Sequence, residues 1–489
     1  MKNSKKLSAT LAAALLCAGA AWGQDSWGDD GAWGDESAPS VGISGSASMA
    51  GRFYTADDDE AITALPSFQL DLSYAGASSE LAATLLLDEE TLGENPEDVL
   101  AELRFGAFIG DFGIEAGKMK AVWGKGDKLH VVDLFNANDY TDFLFPDYID
   151  RRLGEEMVRV TWNAPSGGRI EAIWTPTMTA DRVPLSGRWT PASATSLVAA
   201  ATSYVSNLAA TASTTAYATT YTAIQADGTW NPAAAAAADA ASLAAAQAVL
   251  SEFGDASDLL PDTSTLDYGQ YGVGYTTTMG GVDLGLLYYL GHYKTPSVTV
   301  GYGVNGLGRT VVTSLSIAYD RFQSFGAEAA MAVGPLNLRG EAAYYLGADR
   351  DGDDPAVKND SVNWVAGFDI GLPLGELNLN VQTIGRYVMG NDGIAGASDV
   401  DYDSDGVYTN DKIVVSLSDS FAHEKVQPKI DATWDIERGD VVLMPKLTIA
   451  VRDDMNVELY GAAFLCDDDG EFAAYEDNDF VGLKLDYSF

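Results

Sequence analysis

Cysteine is nearly absent: the 489 residues hold only Cys17 and Cys466. Neither a disulfide framework nor a cysteine-based metal site can be drawn from so few thiols. Histidine is as scarce, at His130, His292 and His423. Positive charge is also short, since 29 Lys and Arg stand against 71 Asp and Glu, for a net charge of −42. Such a surplus repels phosphate backbones and anionic membrane surfaces, which excludes nucleic acid as a partner. Long apolar runs are missing as well. Past the N-terminus, only one Ala/Thr-rich region runs on for the ~18 residues of a membrane helix without charge or break.

What is present begins with an export signal. "MKNSKK" carries Lys2, Lys5 and Lys6, and the uncharged run "LSATLAAALLCAGAAWG" follows. A basic start, a short apolar run and a small-residue exit at Ala21-Trp22-Gly23 describe a secretory signal peptide over 1–23. Cys17 would suit lipidation only with a small residue before it, and bulky Leu16 argues against that. Residues 24–40, with Trp-Gly-Asp at 27–29 and again at 33–35, read as a disordered periplasmic tail. An exported chain of this kind is a periplasmic enzyme, a secreted β protein or a transmembrane β-barrel.

Period-two alternation separates these classes. "FQLDLSY" sets Phe68, Leu70, Leu72 and Tyr74 on one face. "GVDLGLLYYLG" and "GELNLNVQTIGRYV" do the same with Leu284 and Leu286, and with Leu379 and Val381. Eighteen such segments run from 41–54 to 479–489, with 312–333 drawn as one long strand and sixteen as the alternative count. Their connections alternate between long (55–65, 88–99, 120–154, 177–266, 292–311, 347–360, 389–411, 466–478) and tight, with one exception, the short outer turn at Arg438-Gly439. That rhythm belongs to a bacterial barrel with periplasmic turns and outer loops, and a secreted sandwich or propeller has no cause to produce it. The expected fold is all-β: a transmembrane antiparallel β-barrel of 16–18 strands over 41–489, in the cell outer membrane, with outer-membrane lipid against its apolar face.

The chain closes on "FVGLKLDYSF", in which Leu483, Leu485, Tyr487 and Phe489 share a face. This strand resembles the C-terminal signal of outer-membrane barrels, and the resemblance implies recognition by the barrel-assembly machinery. "KMKAVWGKGDKLHVVDLFNANDYTDFL", then "RRLGEEMVRVTWNAP", resembles a group of outer-membrane barrels catalogued as a domain of unknown function. "YDRFQSFGAEAAMAVGPLNLRGEAAYYLG" is similar to their mid-barrel hairpin. Ala137 stands where members of that group carry Pro. The resemblance implies an outer-membrane channel, loosely similar to hydrophobic-solute uptake porins, and no catalytic residues.

Three regions are candidates for function. Lys118, Lys120, Lys125 and Lys128 crowd into eleven residues of an acidic chain, with Arg151 and Arg152 on the returning side. Folded inward over 118–152, they would form a pore constriction; left outward, they are a solvated loop with ion pairs. Asp133, Asp139, Asp142, Asp147 and Asp150 would supply the facing wall. The insertion 177–266 reads as two helices over the barrel mouth. Thr190 and Asn231 serve as N-caps before prolines, Gly254 is the stop, and Leu243, Val249, Leu250 and Phe253 form a stripe. In "DVDYDSDGVYTND", Asp401, Asp403 and Asp405 match the first half of a calcium loop, but Lys412 replaces the closing Glu. That allows weak Ca²⁺ binding or a merely acidic loop tip, as at 349–354 and 467–470. His292 lies in no serine context that would support a barrel lipase, so no enzyme is expected. The reading is a porin-like channel for small, hydrophobic or organic solutes; the alternative is a structural or adhesive surface barrel with a plugged lumen.

Overall fold

Alternating apolar side chains and short Gly/Asp turns build one closed sheet. The computed structural model describes residues 39–55, 62–142, 149–165, 167–224, 231–254, 256–397, 399–468 and 470–489. The signal peptide and almost all of the tail lie outside these described residues.

The first nine barrel strands are β1 (Ser40–Tyr54), β2 (Ile62–Ala75), β3 (Ser79–Asp88), β4 (Leu100–Ile109), β5 (Phe112–Met119), β6 (Glu155–Asn163), β7 (Arg169–Thr175), β8 (Gln270–Met279) and β9 (Val282–His292). The other nine are β12 (Arg321–Val333), β13 (Leu336–Leu346), β14 (Ser361–Gly371), β15 (Asn378–Val388), β16 (Thr409–Ser418), β17 (Val426–Asp435), β18 (Val441–Arg452), β19 (Met455–Leu465) and β20 (Phe480–Ser488). Between them β10 (Ser297–Val304) and β11 (Thr310–Ala318) pair only with each other. Each barrel strand runs antiparallel to the next, and β20 returns to β1, giving 18 strands.

One expected segment divides. The stretch 312–333 is β11 followed by β12, broken at Tyr319-Asp320. The Asp320 carboxylate accepts from the Ser297 hydroxyl and from Lys358 N, and its carbonyl accepts from Tyr293 N at 2.9 Å. The alternation runs on across this break because the outer hairpin alternates as well, which hid the boundary.

The outer face is apolar. Phe105, Val273, Leu286, Phe325, Ile430 and Leu483 all point outward and stand exposed. A continuous girdle of this kind would aggregate in water and is satisfied by lipid. With every strand edge paired, the sheet meets the requirement that hydrocarbon imposes on backbone N–H and C=O groups. The barrel is an outer-membrane barrel.

The seam runs from Ser46 opposite Ser488 to Tyr54 opposite Phe480. Beyond it, Gly45 and Phe489 exchange two backbone hydrogen bonds, both 3.0 Å. Gly45 makes room for the terminal ring, since a Cβ there would stand 2.7 Å from Phe489 Cζ. Phe489 also stacks on Phe68, with ring centroids 6.1 Å apart.

The insertion contains two helices, Ala192–Ile224 and Pro232–Glu252. Asn231 caps the second, its side chain accepting from Ala233 N and Ala234 N. Thr190 does not cap the first: Thr195 N bonds to the Pro191 carbonyl, and the Thr190 hydroxyl is buried without a partner. The expected Leu243/Leu250 stripe is exposed instead. The helices pair through small residues such as Ala234 and Ala238, and Ala192–Ile224 also rests on β11. Only small side chains let two helix backbones approach this closely.

Deleting Phe489 removes two hydrogen bonds and a ring at the seam. The yield of heat-modifiable folded barrel should fall while export is retained. An undiminished yield would show that closure does not depend on this residue.

Candidate functional site

Between β5 and β6, residues 120–142 fold into the lumen and 149–154 return to the wall; Asp147, expected in the facing wall, lies outside the described residues. The neck of this loop is tied by Asn136, which accepts from Ala121 N at 2.8 Å and donates to the carbonyls of Met119 and Leu153 at 3.0 and 2.8 Å. From there it can be followed around the inner wall. Trp123 Nε1 donates to Glu171 on β7 at 2.7 Å. Glu341 on β13 accepts from Gly126 N at 2.7 Å and Val131 N at 2.9 Å, and contacts His130 Nδ1 at 2.8 Å. Asp127 pairs with Arg339 on β13 at 3.2 Å and accepts from Asn380 on β15 at 2.9 Å. Lys128 Nζ ends 3.0 Å from Asp431 on β17. In the ring of 18, β17 lies nearly opposite β5 and β6. Six residues thus carry the chain from one wall of the lumen to the other.

Glycines make the room. On the inner faces of β8 and β12, a Cβ at Gly272 would stand 2.5 Å from the Phe135 and Trp123 rings, and one at Gly326 would stand 2.6 Å from Val132. Phe135 meets Trp123 and Tyr289 edge-on at 5.0 and 5.2 Å. With Val132, Leu287 and Phe322 these rings form a dry core inside the barrel. Inward glycines in otherwise regular strands were the sequence signal for this core, and alternation alone did not expose it.

The six expected constriction residues do not act as one group. Lys118 shares the outward face of Leu103, and its ammonium lies 2.8 Å from Asp98 in the β3–β4 loop. Arg152 is buried against Asp133 at 2.8 Å and donates to the Ala121 carbonyl. Neither faces the lumen, because strand parity turns one away and an internal ion pair consumes the other. Lys120 reaches the Ile149 carbonyl at 3.1 Å and lies 3.8 Å from Glu102; burial lowers its pKa. Arg151 packs over the Tyr140 ring at 5.5 Å. Lys125 lies between the two glycines that abut Glu341, with Glu328 in its field. Only Lys128 crosses to the far wall, where burial and the neighbouring Lys429 lower its pKa.

The strands around it present a charged wall. Lys429, Lys446 and Lys484 on β17, β18 and β20 pair with Asp431, Glu458 and Asp486. Across the lumen, Glu115 sits between Arg104 and Arg159 at 2.7 and 2.5 Å. The inward positions Gln69, Asp71, Asn380, Gln382 and Arg386 are polar, and each has a side-chain partner.

A second tie lies at the mouth. Arg182, at the start of the insertion, contacts Glu90, Asp98 and Asp139 at 2.7, 2.5 and 2.9 Å. It joins the lumen loop to the β3–β4 loop. Burial and the neighbouring Asp139 push the Glu90 carboxyl up to about 7.

The acidic loop is not arranged as a chelator. Asp401 accepts from Asn359 N at 2.6 Å and Arg386 Nη2 at 2.7 Å, while Asp403 turns to Arg438 at 3.3 Å. Asp405 accepts from Val407 N. Nearby cations and amides have claimed the oxygens that would ring an ion. Among the described residues no group of three or more metal-ligating side chains converges. The third acidic tip, 467–470, includes a residue outside the described set.

A family model described as "Protein of unknown function (DUF1302)" matches residues 109–489. No curated protein matches the chain. Among solved structures, a BenF-like porin from Pseudomonas fluorescens Pf-5 aligns over 92% of this chain and 98% of its own, at 9% identity and a TM-score of 0.46. Pseudomonas aeruginosa OccK2 (OpdF), solved in complex with glucuronate, aligns over 92% and 97%, at 9% identity and 0.45. Acinetobacter baumannii OccAB3 aligns over 92% and 99%, also at 9% and 0.45. Each is a distant likeness, so function is read from this chain's own lumen.

Two outcomes follow from the loops. Glu90 is protonated more readily folded than unfolded, so its contribution is full below the ordinary carboxylate range and is lost as pH rises through about 7. Amide protection of 89–99, corrected for intrinsic exchange, should therefore fall between about pH 5 and pH 8 and stay flat in Glu90→Gln. Asp401→Ala strips Arg386 and Asn359 N of their partner, a loss of ~1–3 kcal/mol. It should expose 389–408 to protease with or without calcium. Calcium protection in the wild type would instead argue for a metal site.

Proposed function

The chain belongs to the DUF1302 family, and from that premise we propose that it is an outer-membrane channel admitting small solutes, hydrophobic and organic ones included, past the inward-folded loop. One observation carries the reading: the Lys128 tip crosses the lumen to Asp431 while lysines and carboxylates line the wall beside it. A barrel serving only as a surface scaffold gains nothing from carrying a charged loop tip across its lumen. A channel gains a narrow place where fixed charge meets the permeating solute. There low-dielectric walls strengthen the interaction and salt screens it less than on an open surface.

The aromatic and glycine-lined half of the lumen fixes the loop. The charged half, from β17 through β1 to β6, offers water and ion pairs. Division of labour of this kind suits a channel whose constriction must not drift. The last strand, with Leu483, Leu485, Tyr487 and Phe489 outward, supports recognition by the barrel-assembly machinery during insertion.

Reversing the tip charge tests the reading in planar bilayers. Lys128→Glu places a carboxylate beside Asp431 and should shift the reversal potential in a salt gradient towards cations, with altered single-channel conductance. Conductance and selectivity identical to the wild type would remove Lys128 from the pathway. A folded wild-type barrel that conducts nothing would favour the scaffold role.

A further inference from the structure

The second aromatic cluster lies away from the lumen loop, at the outer ends of β1, β19 and β20. Tyr54, Phe464 and Phe480 point inward from those strands, and Tyr475 joins them from the β19–β20 loop. Their common partner is Trp189, whose ring centre lies 6.4, 6.0, 6.4 and 5.9 Å from Tyr54, Phe464, Phe480 and Tyr475 respectively. Trp189 is only 8% exposed, yet it does not belong to this wall. It arrives from the far side. The chain leaves β7 at Thr175, is pinned by Asp181, which accepts from Asn138 N at 2.8 Å, and by Arg182, and then crosses the mouth. β7 and β19 stand nearly opposite each other in the ring.

This strap has little structure of its own. Residues 183–190 form neither helix nor strand. At its far end Arg188 lies over the Tyr54 ring at 3.7 Å, and the Arg188 carbonyl accepts from Asn478 at 2.7 Å. Beneath, Arg52 lies 5.0 Å from the Phe480 ring centre and is held by Asp142 of the lumen loop through two 2.6 Å hydrogen bonds. The seat is therefore built by the barrel and the deep loop, and its occupant comes on a tether.

Resting on the channel reading, we propose that this seat is the mouth's binding site for neutral, planar aromatic solutes, and that Trp189 is a built-in competitor for it. Four rings tilted around one position provide stacking and edge contacts to any flat ring, and such contacts are indifferent to which ring supplies them. A ligand that displaces Trp189 uncouples the strap from the far wall, so solute and opening are linked through one site. Charge decides the class further. Both guanidiniums already have partners in Asp142 and Asn478. Burial, and after it the neighbouring carboxylates of Asp440, Glu476, Asp479 and Asp467, push the adjacent Cys466 thiol up to about 11. An anionic ring would meet that field, and a neutral one would not.

Phenyl glucoside and methyl glucoside share a polar head and differ by the ring, and both are polar enough to cross lipid slowly. Phenyl glucoside should raise the ion current of wild-type barrels in planar bilayers several-fold, while methyl glucoside should leave it unchanged. Trp189→Ala should carry the raised current without any solute, and Trp189→Phe should restore the wild-type level. Heat-modifiability certifies that each variant is folded. Equal currents in wild type and Trp189→Ala, or equal effects of the two glucosides on the wild type, would overturn the proposal and leave the channel intact. Folded barrels silent in both forms would overturn the channel reading itself.

Discussion

Everything in this molecule depends on the pairing of β20 with β1. In hydrocarbon an unpaired backbone N–H or C=O costs several kcal/mol, so an open sheet of seventeen paired edges is no partial success. The seam is built for certainty of register. Tyr54 meets Phe480 at one end, and at the other Phe489 folds over a glycine that leaves space for its ring. A slip of one residue would turn Lys484 and Asp486 to lipid and Val481 and Leu483 to water, so the seam alternation excludes its own misregistration.

Closure creates an interior that must then be filled selectively. The filling is asymmetric. On β8, β9, β12 and β13 small inward residues admit Trp123, Val132 and Phe135, whose burial anchors the loop. Glu341, receiving two backbone amides and His130, fixes the direction in which it leaves. Opposite, inward residues are long and charged. The chain's net −42 is thus not shared evenly: the inner wall is close to an alternation of cations and carboxylates, and the surplus acid lies in the connections.

The barrel was almost wholly legible in the sequence because lipid and lumen impose strict alternation on every strand. That constraint is local, and local constraints survive in a one-dimensional reading. The lumen loop was legible only as an anomaly of charge. Lys118 and Lys120 differ by two residues, yet one lies on the outer face and the other at the neck, since β5 ends at Met119 between them. Partner choice was wholly hidden. Asp401, Asp403 and Asp405 have calcium spacing, but Arg386 lies fifteen residues away in sequence and directly beneath in space. Long-range partners of that kind are set by barrel geometry, which spacing does not encode. Trp189 escaped notice for the same reason: its cradle is assembled from β1 and from strands nearly three hundred residues later.

The landing points of the two inward segments explain why the last strands matter beyond closure. Lys128 ends on β17, and Trp189 ends among residues of β19, β20 and β1. Asp142 of the lumen loop holds Arg52 on β1 below the same rings. The wall that contains the seam therefore receives the deep loop, its flank and the mouth strap. None of these contacts can form in an open sheet, because the wall that receives them does not yet exist there. Seam pairing and lumen architecture are consequently one cooperative unit: each inward contact adds to the stability of the closed form alone, and closure alone positions the lumen loop against its far wall.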